Sequence, residues 1–151
     1  MFIYDKKLQY PVKIDRPNPR LASVIISQYG GPDGELGASL RYLSQRYSMP
    51  FDEQKGLLTD IAVEELGHLE MVGAIVHQLT RNLKDSQIQD SAFAPYFVDH
   101  TTGVYPTFAS GTPWTAATIA VKGDPIADLT EDLAADGQCS LRVQELCRMV
   151  N

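Results

Sequence analysis

The fold is decided by residues 51–81, FDEQKGLLTDIAVEELGHLEMVGAIVHQLTR. Within this stretch one set of positions recurs at alternating steps of three and four, which predicts a long helix with a single core-facing side. The residues on that side are, in chain order, Leu58, Ile61, Glu65, His68, Val72, Ile75 and Leu79. Two of these positions therefore carry an acid and an imidazole where a bundle helix normally has leucine or isoleucine.

The pair Glu65 and His68 has the spacing of a metal-binding motif. A buried carboxylate is costly unless it is paired or bound to a metal. Residues three apart lie on one face of a helix, so a carboxylate oxygen and an imidazole nitrogen can reach the same ion. Glu-x-x-His is the arrangement of dinuclear carboxylate bundles, in which glutamates from other helices complete the site. The alternative for His68 is a core histidine whose hydrogen bonds are satisfied within the protein. His77, nine residues later, is predicted to point to the opposite side of the helix.

The chain before this helix offers a second carboxylate. Residues 20–47 predict helix, with Leu36, Leu40, Leu43 and Tyr47 continuing an apolar stripe. The run Gly30-Gly31-Pro32-Asp33-Gly34 should kink this helix or separate two short ones. Glu35 follows directly and is the natural partner for the Glu-x-x-His pair. Tyr42, seven residues on, can orient a metal-bound carboxylate through its hydroxyl. The alternative for Glu35 is an acid that faces solvent, and the alternative for Tyr42 is an aromatic residue of the core.

The chain after the long helix divides into a connection and a third helix. Residues 82–123 are rich in Gly, Pro, Ser and Thr and show little periodicity, which indicates a long surface crossover. Asp124-Pro125 resembles a helix cap followed by proline at the first helical position. The predicted core-facing side of this helix begins with Ile126, Leu129, Leu133 and Asp136. Asp136 is the one acid of this helix predicted to face inward, and it is a further candidate metal ligand.

Composition narrows the class of protein. The chain has 151 residues, 44% hydrophobic and 21% charged, which predicts a single packed domain spanning residues 1–151. The net charge of −6 argues against nucleic acid as a partner, because phosphates need a basic surface. Neither a signal peptide nor a membrane-spanning apolar run is expected from the sequence. We therefore expect a protein inside the cell, with no membrane partner.

Four segments together resemble the manganese catalase family. They are KLQYPVKIDRPNPRLA (7–22), QYGGPDGELGASLRYLSQRY (28–47), DIAVEELGHLEMVGAIVHQL (60–79) and GTPWTAATIAVKGDPIADLTEDLAA (111–135). The first three look like the first two helices of the family, and the last is similar to its crossover and third helix. The resemblance is closest to the short spore-coat branch. It covers residues 1–135 and is more specific than one Glu-x-x-His pair.

The resemblance implies an all-α, ferritin-like helix bundle that holds two manganese ions. It implies that Glu35, Glu65 and His68 are metal ligands and that Tyr42 matches the family's tyrosine beside the centre. Such enzymes convert hydrogen peroxide to water and oxygen, and each peroxide exchanges two electrons with the metal pair. They are homo-oligomers, often hexamers. The same ligands accept iron, which is the alternative metal.

The chain departs from the family pattern after about residue 135. The family's third helix has a glutamate followed by a basic residue one turn later, whereas this chain has Asp136 followed by Gly137-Gln138-Cys139-Ser140. The family's fourth helix brings a further histidine ligand, and this chain ends at Asn151 before such a helix. We therefore expect three of the four bundle helices, in a domain that is incomplete at its C-terminal end.

Two main functional hypotheses follow. The first is a dimanganese catalase acting on hydrogen peroxide in the cytoplasm. The second is a structural coat or assembly protein that retains the fold without turnover, located in the spore coat with other coat proteins as partners. A diiron protein is a third hypothesis, because carboxylates and imidazole also bind iron.

Overall fold

The computed structural model describes residues 3–30, 34–96 and 116–135, and the regular elements within these ranges are all helical. The α-helices are α1 Pro19–Ile25, α2 Glu35–Gln45, α3 Asp52–Thr80, α4 Asp85–Gln89 and α5, residues 125–135. Short 3-10 turns cover Ile26–Gln28, Arg46–Ser48, Ala94–Tyr96 and Ala116–Ile119. The long helix predicted for residues 51–81 is confirmed as α3. No helix of the described ranges is long and apolar enough to cross a membrane.

The N-terminal segment lies along α3 before α1 begins. Asn18 caps α1 by accepting a hydrogen bond from the Leu21 amide at 3.0 Å, and Pro19 occupies the first helical position as predicted. The Asn18 amide in turn donates to the Leu79 carbonyl at 2.7 Å. Gln78 accepts from the Ile14 amide at 2.7 Å. These bonds fix the arm and the start of α1 against the C-terminal end of α3.

The helix predicted for residues 20–47 is two short helices, the second of the alternatives that the glycine-rich run allowed. Gly34 is the residue before α2 and has an extended backbone, with φ −101° and ψ 174°. A Cβ atom at Gly34 would lie 3.0 Å from the carbonyl oxygens of both Gln28 and Gly30. A larger residue would therefore require this backbone to shift, so glycine suits the position directly before Glu35, the first residue of α2. Residues 31–33 lie outside the described part of the chain.

Two apolar clusters form the core, one toward each end of α3. The first contains Ala22, Ile26, Val76, Leu79 and Phe93. The second contains Tyr42, Met49, Leu58 and Ala62, with Leu129 of α5 packed against it. Burial of one leucine or phenylalanine side chain stabilises the fold by about 1.5–3 kcal/mol. The middle of α3, with Glu65 and His68, lies between the two clusters along the chain.

The crossover contributes more to the fold than its sequence suggests. Part of it forms α4, and Ile88 of that helix is only 4% exposed. Phe93 is fully buried in the first core cluster. The described beginning of the crossover is thus packed on the helices instead of lying wholly on the surface; residues 97–115 lie outside the described part.

The prediction of which side of α5 faces the core is wrong. Ile126 is 80% exposed and Leu133 is 77% exposed, whereas Asp128 is 0% and Asp132 is 6% exposed. Leu129 alone of the described predicted positions packs against the core. The inference that no other acid of this helix faces inward is therefore also wrong. Asp136 lies outside the described residues, so its orientation stays a prediction.

Hydrogen bonds explain why α5 turns its aspartates inward. The Asp128 carboxylate accepts from the backbone amides of Lys122 at 2.8 Å and Gly123 at 3.1 Å. The Asp132 carboxylate accepts from the side-chain amide of Gln45 at 3.0 Å. Both oxygens of Asp128 therefore accept a hydrogen bond, and removing one donor from a buried carboxylate would cost about 1–3 kcal/mol or more. These bonds fix the rotation of α5 against the apolar periodicity of its sequence.

We predict opposite effects for alanine at two glycines. Gly34→Ala should lower the thermal unfolding temperature, because its Cβ would lie 3.0 Å from two backbone carbonyl oxygens that would have to shift. Gly56→Ala should raise the stability by about 0.5–1 kcal/mol, because this position lies within α3 and nothing lies within 4 Å of the added Cβ. Thermal denaturation followed by circular dichroism measures both. Equal stabilisation by the two variants would contradict the close packing at Gly34.

Candidate metal centre

The helices bring together the three predicted ligands. Glu65 and His68 lie one turn apart on α3, and Glu35 reaches them from the first residue of α2. The Nδ1 atom of His68 lies 2.8 Å from Oε2 of Glu65 and 3.8 Å from Oε2 of Glu35. One ligand atom from each of the three side chains lies within 4.8 Å of the other two. Among the described residues this is the group of acids and histidines that can hold a metal ion.

The two carboxylates are largely withdrawn from water, and the imidazole less so. The side chain of Glu35 is 11% exposed, that of Glu65 is 13% exposed and that of His68 is 35% exposed. Two carboxylates this close and this buried repel each other unless a positive charge lies between them. The site therefore favours a cation on electrostatic grounds alone, and His68 leaves it partly open to solvent.

A proton on His68 can also meet this requirement. Burial raises the pKa of Glu65 above its usual range, with the neighbouring Glu35 adding to the increase and His68 opposing it. The carboxylates of Glu35 and Glu65 raise the pKa of His68 to about 10, because they favour the charged imidazolium. At neutral pH the ring is thus protonated. A metal ion must displace this proton, so its affinity falls as the pH falls.

The chemistry of the donor set fits manganese or iron. It consists of two carboxylates and one imidazole, and the described residues bring no thiolate into the group. Oxygen and imidazole ligands suit Mn and Fe ions, whereas copper(I) prefers sulfur. The residues in place therefore match the metal that the resemblance implies, and they equally accept the alternative, iron.

Tyr42 lies on the same helix as Glu35, two turns further on. Its side chain is 2% exposed and belongs to the second core cluster with Leu58 and Ala62. The ring is therefore a core aromatic, which was the alternative interpretation from the sequence. The predicted action of its hydroxyl on the Glu35 carboxylate stays a prediction.

The other acids and histidines of α3 do not join the group. His77 is exposed, as predicted from its spacing to His68. Glu64 accepts a hydrogen bond from Gln9 at 3.4 Å, and Glu70 accepts one from the Tyr4 hydroxyl. Both acids thus contact the N-terminal arm, on a different side of the helix from the candidate centre. Asp136, the fourth predicted ligand, lies outside the described residues.

α2 has a buried polar side that the sequence pattern did not predict. The predicted apolar stripe is wrong at Leu40 and Tyr47, which are 38% and 81% exposed, whereas Leu43 packs against the second core cluster as predicted. Buried instead are Ser39, Arg41 and Gln45, at 1%, 6% and 0% exposure. The Nε atom of Arg41 donates to the Ile119 carbonyl at 3.2 Å, and Gln45 donates to Asp132 of α5. The available signal was the steps of four residues from Glu35 to Ser39 and from Arg41 to Gln45, which place polar side chains on neighbouring turns of one helix.

Comparison with known proteins places this geometry in a family. The family profile described as manganese-containing catalase matches residues 1–151. Protein CotJC of Bacillus subtilis (strain 168) is 49% identical over 146 residues, covering 97% of this chain and 77% of that protein. A probable manganese catalase of Clostridium acetobutylicum is 32% identical over 162 residues, covering 100% of this chain and 68% of the relative.

Solved structures agree with the sequence relatives. The crystal structure of KatB, a manganese catalase from Anabaena PCC7120, superimposes with a TM-score of 0.84 at 32% identity. The match covers 99% of this chain and 67% of KatB. The all-helical architecture is therefore the ferritin-like fold of these enzymes, with Glu35, Glu65 and His68 as candidate metal-binding residues. On the evidence of profile, relatives and fold, the chain belongs to the family of manganese-containing catalases.

Proposed function

We propose that the protein binds manganese through Glu35, Glu65 and His68 and disproportionates hydrogen peroxide to water and oxygen. The observation that carries the proposal is the convergence of these three donors, each with a ligand atom within 4.8 Å of the others. Family membership supplies the metal and the substrate class. We further propose two ions for each chain, as in dinuclear carboxylate bundles, and a homo-oligomeric assembly.

The three proposed ligands come from two helices. Glu65 and His68 come from one rigid helix, so their separation is set by the turn of α3 and changes little on binding. Glu35 comes from α2, whose start is fixed by the close backbone approach at Gly34. The site is thus built from two helices before any ion arrives, which lowers the cost of ordering the ligands.

The environment of the site suits a reaction of a small neutral oxidant. When bound, a pair of manganese ions supplies the two-electron redox chemistry that peroxide disproportionation requires. The low exposure of Glu35 and Glu65 keeps bulk water away from the reacting atoms and strengthens electrostatic interactions there. The partly open side at His68 gives access to a molecule as small as peroxide. Glu65, whose pKa is raised by burial, can hold a proton at its carboxylate.

A second candidate function is a structural one. The relative Protein CotJC is 49% identical, whereas the probable manganese catalase of C. acetobutylicum is 32% identical. The described ligand set contains three residues, and Asp136 is a shorter substitute for the family's glutamate. On this alternative the protein has kept the ferritin-like fold as a spore-coat component, contacts other coat proteins and has lost turnover.

The two functions are separated by metal content and oxygen evolution measured on the same untagged preparation. After expression in manganese-rich medium, we expect about two manganese ions per chain and release of oxygen on addition of peroxide. Bound manganese without oxygen release would favour the structural alternative. Iron in place of manganese under these conditions would identify a diiron protein. Protein free of both metals would contradict metal binding altogether.

Single substitutions test the assigned ligands. Glu65→Ala and His68→Ala should each abolish stoichiometric manganese binding, because each removes one of three converging donors. His77→Ala is the matched control: it removes an exposed histidine of the same helix and should leave the metal content unchanged. Elemental analysis of the three variants provides the measurement. Retention of full metal content by His68→Ala would exclude His68 as a ligand.

The proposed role of Tyr42 is tested by removing only its hydroxyl. Tyr42→Phe keeps the ring that fills the second core cluster, so the helical content and unfolding temperature should change little. If the hydroxyl orients the Glu35 carboxylate, manganese affinity or peroxide turnover should fall about 10- to 100-fold. A variant with unchanged affinity and turnover would leave Tyr42 as a core residue only.

A further inference from the structure

The ring of Tyr29 lies against the backbone of α3 at Gly73. A Cβ atom added at Gly73 would lie 3.0 Å from Cε2 of the ring, 3.7 Å from Cδ2 and 3.9 Å from Cζ. The ring edge therefore occupies the space that a side chain at position 73 would need. Glycine weakens the interior of a helix, and here it lets an aromatic ring approach the helix backbone. At Gly56 of the same helix an added Cβ would meet nothing within 4 Å, so this contact is particular to position 73.

Tyr29 also belongs to the segment against which α2 begins. Its backbone amide donates to the Ile26 carbonyl at 2.9 Å, which ends the short 3-10 turn before it. The residues on either side of it, Gln28 and Gly30, are both buried. Their carbonyl oxygens are the two atoms that lie 3.0 Å from a Cβ placed at Gly34. The residue that contacts α3 is thus in the middle of the segment on which Gly34 packs.

A short series of contacts consequently connects Tyr29 with the first candidate ligand. The carbonyl of Gly34 accepts from the Ala38 amide at 3.0 Å, which closes the first turn of α2 around Glu35. The Oε2 atom of Glu35 lies 3.8 Å from Nδ1 of His68. A shift of Gly34 along α3 would carry the start of α2 and the Glu35 carboxylate with it. Metal ligands must be held to within about 0.5 Å of their binding geometry, so a small shift would weaken binding.

We propose that Tyr29 is a positioning residue for the metal centre. Its ring, seated on Gly73, fixes the start of α2 and so places the Glu35 carboxylate beside its two partners on α3. The inference rests on the proposed function for the metal, whereas the placement of Glu35 itself does not require an ion. The atoms that approach Gly73 are ring carbons, so the ring carries this role and the hydroxyl does not.

Val76 allows this role to be separated from packing. Val76 is 2% exposed and belongs to the first core cluster, against which Tyr29 also packs. It is a residue of α3 itself, so truncating it loosens the cluster and leaves the contact between the ring and Gly73 in place. Truncating Tyr29 loosens the same cluster and removes the contact. The two truncations therefore distinguish a loss of stability from a loss of position.

The first test compares manganese affinity in Tyr29→Ala, Tyr29→Phe and Val76→Ala by metal titration. In Tyr29→Ala the dissociation constant for manganese should rise about 10-fold or more, as it does when a residue that orients a metal ligand is removed. Tyr29→Phe keeps the ring and should keep the wild-type affinity. Val76→Ala should lower the unfolding temperature and leave the affinity unchanged. Wild-type affinity in Tyr29→Ala, or an equal loss in Val76→Ala, would overturn the proposal.

A compensating substitution separates position from packing a second time. In the double variant Tyr29→Ala with Gly73→Leu, the leucine side chain projects from α3 into the space that the ring has left. It refills the cluster, but it belongs to α3 and does not hold the segment before α2. Relative to Tyr29→Ala, the unfolding temperature should recover while the manganese affinity stays low. Recovery of both would mean that Tyr29 only fills space, which would overturn the positioning role.

A measurement on metal-free protein separates this inference from the proposed function. The Ala38 amide reports on the start of α2, because it donates to the Gly34 carbonyl. Relative to amides in the middle of α2, its hydrogen exchange should accelerate in Tyr29→Ala, because the first turn opens locally. In Val76→Ala both should change alike. Wild-type protein that binds no metal would contradict the proposed function and leave this test in force. An unchanged exchange ratio in Tyr29→Ala would overturn the positioning role whether or not metal binds.

Discussion

The candidate metal centre depends on the repulsion between two buried carboxylates, those of Glu35 and Glu65, which both lie close to the imidazole of His68. Glu35 and Glu65 lie where water screens them poorly, and their repulsion must be offset by a positive charge. A protonated His68 can offset this repulsion, and the two carboxylates accordingly raise the pKa of His68 to about 10. A site with this demand for positive charge is suited to a metal ion.

The surrounding helices are fixed by polar contacts as much as by apolar packing. Gly34 permits the close backbone approach that starts α2 at Glu35. Gln45, at the other end of α2, holds Asp132 of α5. The turn before α5 is held by Asp128 from within the helix itself. These bonds set helix position and rotation, so the candidate ligands lie close together while apolar side chains of α5 remain exposed.

The sequence predicted what depends on local spacing. The three-four periodicity of residues 51–81 gave a long helix, and the three-residue step from Glu65 to His68 put both on one face, so α3 and its part of the centre could be predicted. The rotation of α5 could not be predicted, because the apolar pattern of the helix does not indicate that Asp128 accepts hydrogen bonds from the backbone amides of Lys122 and Gly123. In α5, hydrogen bonds from other parts of the chain outweighed the apolar periodicity of the helix. The same is true of the buried polar side of α2.

We propose one metal centre between α2 and α3, bound by the side chains of Glu35, Glu65 and His68. The most direct measurement is anomalous diffraction from crystals of manganese-loaded protein, with data collected on both sides of the manganese absorption edge. We predict an anomalous peak in contact with all three side chains, present only above the edge. An occupied peak elsewhere, or none between these residues in a manganese-loaded crystal, would contradict the assignment of the site.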